Sequence, residues 1–519
     1  MCTKKILQIF LIANLLLSEG CSLFDNETTF KSEVPPNDRN PKQKVWSSTN
    51  LIDYSVVDGN TFHSNVTDST LNYRFPMAIV NESPTGFSIV QARAENAGMT
   101  VVKGYITQPR DYMGNVWGQD GSDFIQINPG STSVSYQRPI ATSDSSGNSH
   151  VVILSPPAVM GRNSVFHMWK TAGTNNWSVP VDASDIDVVQ SALPRSSAIA
   201  VDSDDVLTIA MCQNQLVFFN QYEIGMGYRF AHTTDGLTTT QTVDGAMTCH
   251  SSDYGMDLDF DSSSGDGILA SASNAGAIHY KMYDGHVNGW SSTAVASVAG
   301  SSTDRFPRVY IDDDNLIQMF FYRDVASAPR AANQADIYYA NGTIDTGMNT
   351  PTQFDSSVGS GYPYFYYSTD SSDAMAPILA HSSNNNAALL FIKSDGVSRR
   401  LWVSYYQGSS TWSTPVAIDA GGSGRDVTWA DAAINSNGQM VAADSALDSS
   451  GNDRVYVRYR DAEVWKTITQ VDTYSGTAAV SAPGTNRPSV SISSSGNALV
   501  TFTQYLSATR RSFAVSYHE

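Results

Sequence analysis

Five arginines recur at matching places: Arg74, Arg138, Arg195, Arg305 and Arg487 each stand one or two residues before a run of alternating apolar and polar residues. A guanidinium binds carboxylate or phosphate through two parallel hydrogen bonds, so arginines gathered at one mouth would select an anionic ligand. Used structurally, the same groups would tie neighbouring segments together through backbone carbonyls and acids. A second set is aromatic. Tyr362, Tyr364, Tyr366 and Tyr367 fall within the longest connection, from about Gln353 to Ala376. Clustered tyrosines in a long loop suit sugar stacking or protein contact, and equally suit packing over a sheet edge. Cys212 and Cys249 are a disulfide candidate in an oxidising compartment.

Other chemistry lacks a pattern. The nine histidines are scattered, with no nucleophile elbow and no Cys/His metal spacing, so no catalytic residue and no metal ligand is assigned. Asp257-Leu258-Asp259-Phe260-Asp261 matches half a calcium loop, but Ser262 stands where glycine is needed and Ile268 where glutamate is needed, so it reads better as a strand. Asp444 to Asp453 is the better cation loop. No cofactor is expected, calcium being the sole candidate.

Residues 1–20 place Lys4 and Lys5 before an apolar stretch from Ile6 to Leu17, the charge order of a secretory signal and too short for a stable span. Leu17-Ser18-Glu19-Gly20-Cys21 resembles the lipobox of bacterial lipoproteins, which implies acylation of Cys21, palmitate included. Ser22 resembles the outer-membrane sorting class, so the chain is expected to be exported and lipid-anchored, on the periplasmic side or at the cell surface. Residues 21–43 are polar and proline-bearing and read as a flexible tether. Losing Lys4, Lys5 and Glu19 moves the formal charge from −19 to −20. That acidity argues against nucleic acid as a partner.

Residues 44–519 form one repeat array. Arg138 to Asn148 leads into His150-Val151-Val152-Ile153, and Arg487 to Asn497 leads into Ala498-Leu499-Val500: strand, tight polar turn, strand. Related copies start near Pro76, Ser197, Asp257, Pro307, Pro377 and Ala430. A third, aromatic strand follows, then a short turn to a fourth that opens on Trp177, Trp290, Trp412 or Trp465. Four short strands per repeat is a propeller blade. The last copy stops after Phe513-Ala514-Val515-Ser516-Tyr517, and Val45-Trp46-Ser47-Ser48-Thr49 supplies the missing fourth strand from the other end. The expectation is a single all-β, eight-bladed β-propeller of four-stranded antiparallel blades, its ring closed by the N-terminal strand, with seven blades as the alternative.

Such a blade places its second-to-third loops and the inter-blade connections on one face, with the arginines, and its first-to-second turns on the other, with Asp144, Asp202, Asp204, Asp205, Asp261, Asp312, Asp313 and Asp314. Arg323, Arg399 and Arg400 join the arginine face. Tyr73-Arg74-Phe75-Pro76 resembles the Tyr-Arg-Ile-Pro motif of the sialidase propeller, and Thr233-Thr234-Asp235-Gly236-Leu237-Thr238 resembles the Asp-box of that superfamily. Whole repeats are similar to the Asp-Xaa-Xaa-Gly-Asn propellers of bacterial surface lipoproteins. The functional expectation is a monomeric module that binds a surface glycan or protein, or scaffolds proteins. The alternative is a sialidase-like glycoside hydrolase using the arginines.

Overall fold

The computed structural model describes residues 44–47, 50–52, 78–81, 86–92, 99–105, 124–127, 137–155, 164–182, 197–215, 221–231, 255–296, 303–324, 335–355, 377–419, 426–472 and 487–518, apart from a few single residues and short turns inside these stretches. Residues 1–43, and with them Cys21, lie outside the described set, as do Arg74, Arg195, Cys249 and Tyr362, Tyr364, Tyr366 and Tyr367.

Among the described residues all regular structure is antiparallel β. Each sheet begins on an inner strand at a repeat start: Ala78–Asn81 (sheet I), Gln137–Ser143 (II), Ser197–Val201 (III), Met256–Phe260 (IV), Asp304–Ile311 (V), Ile378–Ser382 (VI), Asp426–Ile434 (VII) and Ser489–Ile492 (VIII). Successive inner strands lie side by side, and that of sheet VIII lies beside that of sheet I, so they surround a common axis. The protein is a β-propeller.

The expected count and uniformity are corrected. Six sheets are complete blades, with at least one described side chain at each of the four strand positions: II, IV, V, VI, VII and VIII. Sheet I has four strands, but beyond its second strand only the backbone is described, and sheet III has three strands among the described residues. Neither eight nor seven complete four-stranded blades are therefore present among the described residues. Sheet III carries a longer hairpin, Val206–Gln215 with Gln221–Ala231, with a bulge at Ile209/Ala210. The fourth position is also not one uniform strand. In IV, V, VII and VIII it breaks into two short pieces, such as Gly289–Trp290 with Ala294–Val295, making those sheets five-stranded.

Closure follows the chain ends. Val45–Trp46 and Asn50–Ile52 are the outer strands on Thr509–His518 of sheet VIII, with Leu51 opposite Phe513.

The core lies between the sheets, because each blade buries both faces. Ile268, Val309, Phe320 and Phe321 fill the space around sheets IV and V, Leu390, Val403, Ala430 and Met440 that between VI and VII, and Val441, Val457, Val500 and Val515 that between VII and VIII.

The first-to-second turns fix the register. Gly147, Asp205, Gly265, Asn315, Asn385, Gly438 and Gly496 occupy the left-handed region in seven successive turns (φ 55 to 79°). One polar side chain per turn caps it: Asp144 Oδ1 accepts from the Asn148 N–H (2.7 Å), Asp312 Oδ1 from the Asp314 and Leu316 N–H groups (3.0 and 2.8 Å), and Asn435 Oδ1 from those of Asn437 and Gln439 (3.0 Å each). Adjacent turns are then stapled together. Ser145 donates to Asp205 (2.7 Å), Asp313 N to Asn385 Oδ1 (2.8 Å), Asn386 Nδ2 to Ser436 O (2.9 Å) and Asn437 Nδ2 to Ser494 O (2.9 Å).

Gly496 shows how tight this ring is. A Cβ there would meet Gln439 Oε1 and, at 2.6 Å, the Tyr459 hydroxyl, at a φ of +76°. Gly496→Ala should destabilise the protein by about 1–3 kcal/mol, from backbone strain plus the clash. A fall in urea midpoint at unchanged slope is the expected reading, and a midpoint equal to wild type would refute the stapled-turn account.

Candidate functional site

Each inner strand pairs on one side only, leaving backbone groups on its axial edge that a neighbour must satisfy. Aspartates of the preceding sheet do this. Asp257 Oδ2 accepts from Val309 N–H, Asp259 Oδ2 from Ile311 N–H and Asp431 Oδ2 from Val490 N–H, each at 2.9 Å. Between sheets I and VIII, Asn81 Nδ2 donates to Ile492 O (3.2 Å). Alternate positions along the inner strands thus carry polar groups around the axis.

Arg308 stands among them. Its Nε donates to Pro377 O of sheet VI (3.1 Å) and its Nη1 to Pro307 O (3.0 Å), which fixes the guanidinium plane. Among the described residues nothing bonds Nη2 and no carboxylate is ion-paired to Arg308. Electrostatically it reaches Asp257 of sheet IV and Asp431 of sheet VII. One turn along the same strands lies a second layer. His381 Nε2 sits 3.8 Å from Asp259 Oδ1, and its ring is 5.0 Å from that of Tyr310, whose buried hydroxyl has no partner among the described residues.

Burial dominates the protonation of these groups. It raises the Asp257 carboxyl, with Arg308 and the Val309 N–H opposing, and raises Asp259, with His381 opposing. Asp431 is pushed up to about 7 by burial, against the Val490 and Ala432 N–H groups and Arg308. Burial, then Asp312, drives the Tyr310 phenol well above its usual range. The cluster therefore joins one fixed cation to carboxyls that take up protons easily. It can hold an anionic or polyhydroxylated group.

Of the arginines expected at this mouth, two are described with their side chains. Arg487 is buried and lies over the Trp429 ring at 4.5 Å. Arg305 is half-buried at a strand irregularity, next to Asp304. The Asp304 carboxylate is gripped on both oxygens by Arg323 (2.7 and 2.8 Å). Arg400 pairs with Asp419 (2.6 Å) and Arg399 with Asp426 (3.6 Å). Arg399 and Arg487 tie neighbouring sheets together, whereas Arg323 and Arg400 pair within their own repeats. Arg138 lies in its inner strand with only its backbone described. Cys212 sits inside the strand Val206–Gln215, opposite Ile224, and Cys249 lies outside the described residues.

The acidic turn face is likewise mostly structural. Asp144, Asp202, Asp261 and Asp312 are buried turn caps, and Asp205 is a staple, leaving Asp204, Asp313 and Asp314 at the surface. The two cation-loop candidates are occupied by the protein itself. Asp257 and Asp259 are strand residues bonded to backbone; Asp444 pairs with Arg458 (2.7 Å), and Asp448 caps its own loop through Ser450 and Asn452. No group of three or more potential metal ligands occurs among the described residues.

Of the Arg305-Phe306-Pro307-Arg308 run, the sequence singles out Arg305, and the structure places Arg308 beside the inner-strand acids. Phe306 adopts φ 55°, and the pairing register shifts between Arg305 and Arg308, so Arg308 rather than Arg305 faces the Asp257 edge. A polar residue at alternate inner positions in four starts, Asp257/Asp259, Arg308/Tyr310, His381 and Asp431, was the available signal.

No protein-family model and no curated protein matches this sequence. Similar solved structures include the BP39L lectin from Burkholderia pseudomallei (11% identity, 77% of this chain and 100% of that one, TM-score 0.47). The polysaccharide lyase Uly1 is similar over 92% of this chain and 98% of its own (9% identity, TM-score 0.40). The β-propeller domain of the Trilobed protease from Pyrococcus furiosus is similar over 72% and 94% (10% identity, TM-score 0.39). The propeller assignment rests on the sheets themselves.

Proposed function

We propose that this protein is an exported, lipid-anchored propeller that binds a surface glycan at the axial cluster around Arg308. The observation that carries the reading is the guanidinium itself, held by two backbone carbonyls with Nη2 unbonded among the described residues. A fixed donor with spare N–H groups, ringed by carboxyls, suits a ligand bearing both an anionic group and hydroxyls. The stapled turns bind the opposite face to itself, so the ligand approaches from the face of the inter-blade connections. Acylation of Cys21, the tether over residues 21–43, placement at the outer membrane, a Cys212–Cys249 disulfide, and contributions from Arg74, Arg138, Arg195 and the Tyr362 to Tyr367 loop belong to the same proposal.

A glycan array probed with the full-length protein should show retention on acidic glycans. Arg308→Met, which keeps the apolar stem, should weaken it at least tenfold with unchanged circular dichroism, a loss of about 1.4 kcal/mol or more. Equal retention by Arg308→Met would remove the site from this position. The hydrolase reading is favoured only by Asp431, a carboxyl near neutrality beside an arginine, as a general acid requires. Turnover of a fluorogenic sialoside, lost in Asp431→Asn, would establish it.

A further inference from the structure

Two histidines, seventeen residues apart in the chain, meet inside sheet II. His150 Nδ1 lies 3.2 Å from His167 Nε2, and both side chains are wholly buried. One N–H joins the rings, donated by whichever nitrogen carries it, so the neutral pair serves as donor and acceptor to itself. The register shows which way the rings face. His150 stands opposite Trp169 and Val152 opposite His167, so all four side chains share one face of the sheet. Val152 and Trp169 pack there on Leu207, Ile209, Ile199 and Val201 of sheet III, which makes the pair part of the junction between sheets II and III. That junction is thinly held. Among the described residues its buried apolar side chains are Val152, Leu207 and Ile209, whereas an extended core surrounds sheets IV and V.

Charge cannot be added twice to such a pair. A first proton is shared between the rings, and the buried Asp144 carboxylate, 3.6 Å from His150 Nε2, faces it. A second puts an N–H on both facing nitrogens, so like charges and two donors meet at 3.2 Å in a site closed to solvent. The other ionisable groups around the rings do not relieve this. Asp144 is committed to Asn148 through both oxygens (2.7 Å each). Asp205 of sheet III, within electrostatic reach of His150, grips the Ser145 N–H and hydroxyl (2.8 and 2.7 Å). Lys170 stands opposite Ser149, on the other face of sheet II. Relief comes from moving the rings apart, out of the junction.

We propose that His150 and His167 form an acid-released latch between sheets II and III: with at most one proton the pair closes the junction, and with two it opens it. The latch stands apart from the axial cluster and does not depend on it.

The sign follows from linkage. The closed junction holds at most one proton on the pair and the open one holds two, exposed rings charging below about pH 6.5. Closure is therefore fully favoured at neutral pH and is lost as pH falls. Hydrogen–deuterium exchange of the full-length protein, followed by mass spectrometry at pH 7.5 and 5.0 and corrected for the pH dependence of amide exchange itself, reads the junction directly. Peptides covering Ser149–Ser155, Ser164–Lys170 and Val206–Gln215 should lose protection at least tenfold at pH 5.0, while those covering Asn386–Ser394 and Met440–Leu447 keep theirs. His167→Gln, which retains a polar partner but takes no proton, should abolish that ratio even where it lowers protection at both pH values. In wild type, exchange of the imidazole Cε1 hydrogens, which reports the charge of each ring, should show the second protonation arriving with the loss of protection. A loss equal in all sheets, a wild-type ratio in His167→Gln, or two charged rings under a junction that stays protected would each overturn the latch.

Discussion

Asp355→Ala should cost about 3–5 kcal/mol of stability, the loss expected when one partner of a buried ion pair is removed and the other stays charged. Lys393 is 3% exposed and Asp355 fully buried, and Nζ lies 3.0 Å from both the carboxylate and the carbonyl oxygen of Asp355. The pair joins the end of sheet V to the second strand of sheet VI. The same carboxylate accepts from the Ile337 N–H (3.2 Å), so alanine strands a buried ammonium and a backbone donor together. Asp355→Asn, which keeps an acceptor but removes the charge, should fall between alanine and wild type. Substituting both partners, Asp355→Leu with Lys393→Met, should recover most of the loss, because no charge is then left buried. Urea midpoints measure all three. Arg399→Ala is the internal contrast: its pair with Asp426 spans 3.6 Å and is 19% and 44% exposed, so its effect should stay within about 1 kcal/mol. An Asp355→Ala midpoint as mild as that of Arg399→Ala would contradict the burial argument.

That pair explains where the sequence stopped being informative. Repeat starts are legible because turn chemistry is local: each hairpin must find a residue that tolerates positive φ within four or five positions, and Gly147, Asn315, Gly438 and Gly496 are visible in the chain. Ring closure is legible too, because Trp46 is the outer-strand residue that the last copy lacks. Blade completeness is not, since a strand broken after Trp290 and one continuing past it have the same composition. The partners of the arginines are not legible either. Whether Arg400 binds a ligand depends on Asp419, nineteen residues away, and Arg308 acts electrostatically on Asp431 only because sheets V and VII share an axis. Lys393 drew no attention as a lone base, for its acid lies 38 residues upstream. Charge pairing across blades follows from the ring geometry, which no local window contains.

Deleting residues 46–52 should have the largest effect of any change proposed. Trp46 packs on Tyr517 (5.0 Å between ring centroids), and Tyr517 stacks on Tyr459 of sheet VII (4.2 Å), so the first strand of the chain buttresses the junction of the last two sheets. Ser47 exchanges two bonds with Ser516 (2.8 and 3.0 Å), and Leu51 pairs with Phe513. Loss of the aromatic contact alone is worth about 3 kcal/mol, toward the lower end for a large aromatic because Trp46 is only half-buried. The deletion adds a second penalty. It bares the edge of Thr509–His518, ten residues long, and an unpaired edge of that length templates pairing with a second chain. The expected result is a melting temperature lowered by about 5 °C or more, with a concentration-dependent shift to larger species on size-exclusion chromatography. Trp46→Ala should show the loss of stability without the association, because its strand still covers the edge. Supplying residues 44–52 as a peptide in excess should return the deletion variant to monomer and restore part of its stability by mass action. A deletion variant that melts as wild type and stays monomeric would mean that the inner strands alone hold the ring shut.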